Sequence, residues 1–122
     1  MIDHLGLLDP EARDTFAGID GLLALAHYPN VAVKVTSVPL LSREPYPHAD
    51  AWPHLHAVID AFGVDRLMWG TDAFIFDHPY DEALDFLRAS DELGPREKEM
   101  LLGGALRAVM GWPRAGSTSA WC

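Results

Sequence analysis

The stretch Arg66-Leu67-Met68-Trp69-Gly70-Thr71-Asp72 constrains this chain more than any other. Leu67, Met68 and Trp69 have no polar partner between them, the pattern of a strand buried on both faces. Such strands belong to parallel sheets covered by helices. Gly70 then lets the backbone turn or approach another segment closely. Asp72 is left at the strand's C-terminal end, where parallel α/β proteins carry out their chemistry. Asp is also a good helix N-cap. This stretch by itself leaves both roles for Asp72 open.

The flanking pattern extends the α/β reading. Met1-Ile2-Asp3-His4-Leu5-Gly6 reads as a strand entered in its middle, so an N-terminal part is expected to precede it. Leu7 to Thr15 is polar and irregular. Phe16 to Tyr28 reads as a helix with Leu22, Leu23, Leu25 and Ala26 on its apolar face, stopped by Tyr28-Pro29-Asn30. Val31 to Thr36 is a β-branched, alternating strand with Lys34 and Thr36 on its polar side. Ser37 to Asp50 reads as a long loop with prolines at 39, 45 and 47. Ala51 to Phe62 is a second helix, stopped at Gly63. Asp72 to Pro79 is an aromatic loop containing Phe74 and Phe76, and Pro79 opens a helix to about Ala89. Pro95 opens a last helix that ends near Gly111-Trp112-Pro113. Strands and helices alternating at this spacing predict βαβ units, a parallel sheet and right-handed crossovers.

Composition narrows the function classes. With 122 residues the chain can hold one domain, and 49% hydrophobic residues exclude a disordered one. Eighteen acidic residues against nine basic give a net charge of −9, which argues against nucleic acid and anionic membranes as partners. Cys122 is the single cysteine, so no disulfide framework or cysteine zinc site is expected. No apolar run reaches the ~18 residues of a membrane span and no signal peptide is visible. A soluble, cytoplasmic protein is the resulting expectation.

Two strands end in a polar group, His4 and Asp72. As the first and third strands of a sheet, they place these ends ~10 Å apart. Side chains leaning inward could share one ion or one water, with Lys34 and Thr36 beside them. A lone histidine at a strand end is more often structural. The remaining histidines carry less: His54 and His56 do not face each other on a helix, and a zinc site with His48 is disfavoured. His27 sits at a helix end and His78 at a helix start. Gly103-Gly104 lies too deep in a helical pattern to be a phosphate loop, and no nucleophile elbow, P-loop or dinucleotide fingerprint is present.

Ile2-Asp3-His4-Leu5-Gly6, Pro29-Asn30-Val31-Ala32-Val33-Lys34, Pro45-Tyr46-Pro47 and the stretch from Arg66 to Asp72 occur in that order. Together with Leu102-Gly103-Gly104-Ala105-Leu106-Arg107 and Gly111-Trp112, this ordered set resembles the C-terminal part of the amidohydrolase superfamily. The nearest resemblance is to its amidohydrolase-related group of pyrone-dicarboxylate hydrolases, sugar lactonases and decarboxylases. The resemblance implies an α/β fold, the C-terminal portion (about three βα units) of a (β/α)8 TIM barrel of ~250 residues. The strands would be the sixth to eighth, the partial barrel domain would span residues 1–113, and 114–122 would be a flexible tail.

It also implies chemistry. His4 matches an active-site histidine that holds metal or polarises a carbonyl. Asp72 matches the aspartate after the last strand, which binds metal or activates water as general base. Arg43 falls where related lactonases hold a substrate carboxylate, Lys34 could complement the same carboxylate, and Tyr46 is a further candidate for binding substrate. The implied activity is hydrolysis of a lactone or similar cyclic ester, with decarboxylation as the alternative chemistry. A non-catalytic fragment or interaction module is the alternative of another class. The family's His-x-His lies on a first strand that this chain lacks, and the Trp-Pro that often follows the aspartate is Ala73-Phe74 here. A divalent metal such as zinc is therefore expected in a full-length parent. This chain alone is expected to hold no stoichiometric metal, to hydrolyse no lactone and to self-associate through open sheet edges.

Overall fold

The structure is a computed structural model that describes residues 1–7, 9, 11–74, 77–114 and 116. Phe76 and most of the predicted tail lie outside the described residues. Two strands, β1 (Val33–Thr36) and β2 (Leu67–Gly70), pair in parallel. The register sets Val33 against Leu67 and Thr36 against Gly70. Helix α1 (Ile19–Leu25) precedes β1. Helices α2 (Val38–Leu41) and α3 (Trp52–Phe62) lie between the strands, and α4 (Tyr80–Arg88) follows β2. The chain closes with α5 (Pro95–Glu99), a wide π-type segment (Met100–Gly104) and α6 (Ala105–Met110). From β1 onward this is the strand–helix alternation that the sequence predicts, around a two-stranded parallel sheet.

The core is one cluster of buried apolar side chains. Val33, Val35 and Leu67 of the sheet meet Leu22 of α1 and Leu55, Val58 and Phe62 of α3. Burying a Val or Leu contributes about 1.5–3 kcal/mol, so this cluster fixes which face of each helix turns inward. Arg66 ties the layers together. Its guanidinium donates to the carbonyls of Ala26, Tyr28 and Val31 at 3.0, 2.8 and 3.2 Å, and its Nε to Phe62 O at 3.1 Å. It thereby satisfies the Ala26 and Phe62 carbonyls at the C-terminal ends of α1 and α3 and ties in the Tyr28 and Val31 carbonyls between α1 and β1. No helix among the described residues is long and apolar enough to cross a membrane.

Three expectations need correction. The first strand is reduced to one bridge, Ile2 with Val33, in which Ile2 N donates to Ala32 O and Lys34 N to Ile2 O, both at 2.8 Å. After Asp3 the chain leaves the sheet in a tight turn over His4–Gly6, with Leu5 at φ 57° and fully buried. Burial of Leu5 against the core wins over continued pairing. Secondly, the 37–50 loop contains α2, because Val38, Pro39 and Leu41 are buried and Pro39 suits a first helical turn. Lastly, the closing helix is interrupted. At Gly104 a Cβ would lie 2.8 Å from Met100 Sδ, and Gly103 takes φ 153°. The positive φ at Gly103 favours glycine, and a side chain at Gly104 would require Met100 to shift.

Candidate functional site

His4, Ser37 and Asp72 converge at the C-terminal ends of three successive parallel segments. His4 Nδ1 lies 2.6 Å from Thr36 Oγ1, 2.8 Å from Ser37 Oγ and 3.1 Å from Asp72 Oδ2. Ser37 Oγ donates to Asp72 Oδ2 at 2.6 Å. Thr36 and Ser37 are buried, at 5% and 1% exposure. The three converging residues share a backbone feature: His4, Ser37 and Asp72 have φ of 51°, 64° and 49°. Left-handed backbone at a non-glycine residue costs roughly 1–2 kcal/mol each, so the cluster is held against local preference by its hydrogen bonds and packing.

The proton arrangement follows from counting donors. A serine has one hydroxyl proton, and a carboxylate can only accept, so the Ser37 proton goes to Asp72. The Ser37 lone pairs then face His4. This is not a Ser–His–Asp nucleophile relay, which needs the serine and the carboxylate on opposite ring nitrogens. Here all partners crowd Nδ1. Among the described residues, His4 Nε2 and Asp72 Oδ1 carry no hydrogen bond, so these are the two atoms left for a ligand.

Beside the cluster opens a cavity of about 220 Å³ lined by His4, Lys34, Thr36, Trp69, Asp72 and Leu106, among others. Lys34 Nζ pairs with Asp3 at 2.8 Å, and the lysine holds the Asp3 carboxyl below its ordinary value. The structure thus brings together His4, Asp72, Lys34 and Thr36. Arg43 and Tyr46 do not line this cavity. Arg43 reaches Ala12 O at 2.5 Å, and Tyr46 lines a separate cleft with Trp52 and Phe86. The weaker histidines disperse: His54 stacks on Phe16 at 4.2 Å, His56 pairs with Glu92 at 2.9 Å, and His48 Nδ1 lies 3.0 Å from Glu44 O.

Ser37 is the site residue that sequence reasoning passed over. Its signal was slight, a small hydroxyl directly after a strand that ends in threonine.

A metal would have to take His4 Nε2 and Asp72 Oδ1, because Nδ1 is filled by hydroxyls. These are nitrogen and oxygen donors of the kind zinc accepts. No group of three or more His, Cys, Asp or Glu able to hold a metal exists among the described residues. The pair supplies two donors, fewer than the three protein ligands a catalytic zinc takes.

Three solved structures are similar to this chain. One, described as a candidate 2-pyrone-4,6-dicarboxylic acid hydrolase from Pseudomonas putida, is 28% identical with a TM-score of 0.71. The match covers 91% of this chain and 42% of that one. The second is an amidohydrolase from Burkholderia multivorans with bound zinc, 25% identical, TM-score 0.71, covering 91% and 43%. A further crystal form of an amidohydrolase from that organism, with bound Hepes, is 26% identical, TM-score 0.67, covering 92% and 44%. The chain therefore spans about two fifths of the length of these structures and forms the C-terminal portion of a TIM barrel of their kind. No curated protein matches it. The amidohydrolase family model matches residues 1–109, nearly the whole described chain, and it is to the amidohydrolase family that this chain belongs.

Proposed function

We propose that these residues form the C-terminal half of the active site of a hydrolase that opens a lactone or similar cyclic ester. The observation that carries the reading is the His4–Asp72 contact of 3.1 Å at the strand ends, beside a cavity, with Nε2 and Oδ1 unengaged. Asp72 Oδ1 would take a proton from water as the water oxygen bonds to the ester carbonyl carbon. The ring C–O bond then breaks, and its oxygen takes back the proton that Asp72 removed from water, giving the open hydroxy acid and restoring the carboxylate. His4 Nε2 would hold or polarise the carbonyl oxygen. Lys34 is the cation on this rim and suits a carboxylate on the substrate. Arg43 and Tyr46 would touch a substrate only where it extends beyond the cavity. A divalent metal, when bound with ligands from outside this chain, would supply Lewis acidity to water or carbonyl. The pyrone-dicarboxylate named for the Pseudomonas neighbour has the required chemistry, a cyclic ester bearing carboxylates.

The test is loss of 2-pyrone-4,6-dicarboxylate absorbance with this chain fused behind the part of the Pseudomonas protein that it does not cover. Asp72→Asn keeps a residue that tolerates left-handed backbone, so it should fold normally. It should also lose about 10²–10⁴ in rate. A folded fusion inert toward the lactone, or an Asp72→Asn variant that retains activity, overturns the reading.

A further inference from the structure

We infer that Ser37 is a positioning residue for the His4–Asp72 pair, aiming one atom of each at the cavity. Among the described residues Ser37 alone hydrogen-bonds both members, at 2.8 Å to His4 Nδ1 and 2.6 Å to Asp72 Oδ2. Thr36 touches only His4, at 2.6 Å. The Ser37 proton is committed to Asp72 Oδ2, which fixes the carboxylate rotamer and leaves Oδ1 outward. The Ser37 and Thr36 oxygens occupy the space around Nδ1, which fixes the imidazole ring and leaves Nε2 outward. Orienting partners of this kind decide which atom of a catalytic carboxylate or histidine meets the reactants.

The backbone supports the assignment. Ser37 adopts φ 64° and ψ 18° at 1% exposure. A glycine would hold that turn with less strain. The hydroxyl is therefore what the turn gains from having serine there.

The experiment uses the chain labelled with 15N-histidine and 13C-aspartate, in solution or, where it self-associates, by magic-angle-spinning spectroscopy. His4 and Asp72 signals are assigned by their loss in His4→Gln and Asp72→Asn. Ser37→Ala and Ser37→Gly should both shift the His4 ring nitrogens and the Asp72 carboxyl carbon. Thr36→Val should shift the His4 nitrogens while leaving the Asp72 carbon in place. Ser37→Gly keeps the comparison valid if Ser37→Ala folds poorly, because glycine removes the left-handed penalty. Unchanged His4 and Asp72 signals in a folded Ser37→Gly overturn the inference. So does an Asp72 carbon that responds equally to Thr36→Val.

A kinetic arm rests on the proposed hydrolysis. In the fusion, Ser37→Gly should lower kcat about 10- to 100-fold with KM little changed. If the spectroscopic pattern holds while the wild-type fusion is inert, the positioning role stands and the hydrolase reading falls. If the fusion is active and Ser37→Gly leaves kcat unchanged, the positioning role falls.

Discussion

Asp50 anchors the segment that leads from the sheet to α3. Its carboxylate accepts from Ser42 Oγ and from the Arg43 backbone N–H, the latter at 2.7 Å. Partial burial works against its ionisation, yet the Ser42 hydroxyl and the Arg43 amide outweigh it and hold the Asp50 carboxyl below its ordinary value. A depressed folded-state value stabilises the fold above the unfolded value of about 3.9. That contribution disappears as pH falls through the lower folded value. Asp50→Ala should therefore lower stability by about 1 kcal/mol at pH 6, after allowing for solvent screening. The difference should vanish near pH 2. Urea midpoints at the two pH values decide it, and a deficit equally large in acid would mean that the loss is one of packing.

At the scale of elements, the site depends on how closely β1 and β2 approach. Gly70 faces Thr36 across the sheet, and a Cβ at Gly70 would lie 2.7 Å from Thr36 Cγ2. Thr36 is β-branched, stiff at χ1 and held to His4 by its hydroxyl, so it has little room to yield. Gly70→Ala should destabilise by about 1–3 kcal/mol through overpacking. Adding Thr36→Ser removes the obstructing methyl and should restore most of the loss, because contacting residues are not additive. Denaturation of the two single variants and the double variant measures this coupling. A Gly70→Ala protein as stable as wild type would show that the strands can separate freely.

The molecule as a whole has surfaces that its described residues do not cover. β2 pairs with a strand on one side only, and the Ile2 bridge is the outermost pairing on the other. On the closing helix and just beyond it, Leu102, Val109, Met110 and Trp112 are 38%, 51%, 51% and 48% exposed. In the neighbouring structures the chain accounts for 42–44% of the length, so a closed barrel needs further strands at both edges. Open edges beside apolar surface favour association. The chain by itself should sediment as dimers or larger species that dissociate on dilution. It should retain well under one zinc per chain after dialysis, because His4 and Asp72 offer two ligands where a catalytic zinc takes three. A single monomeric boundary at all concentrations, or stoichiometric zinc lost on His4→Ala, would contradict this.

The order of elements was legible because it depends on local pattern. The unbroken apolar run Leu67-Met68-Trp69 and the alternation of Val33 and Val35 report which faces are buried. Gly63 ends α3 at φ 74°, whereas α1 already stops at Leu25, ahead of Tyr28-Pro29. His4 and Asp72 were visible as polar groups at strand ends for the same reason. The site's geometry was not legible. Its hydrogen bonds join residues 32 to 35 apart in the chain. Its three key residues take left-handed backbone that local propensity opposes. Arg66, at the start of the apolar run, reaches the carbonyl of Ala26 just after α1, 40 residues away. The sequence alone determined that β1 and β2 are strands and that α1, α3 and α4 are helices, since burial periodicity and chain breakers act over a few residues. Only the tertiary structure decided that Ser37 joins His4 to Asp72, since long-range hydrogen bonds there override the local backbone preference.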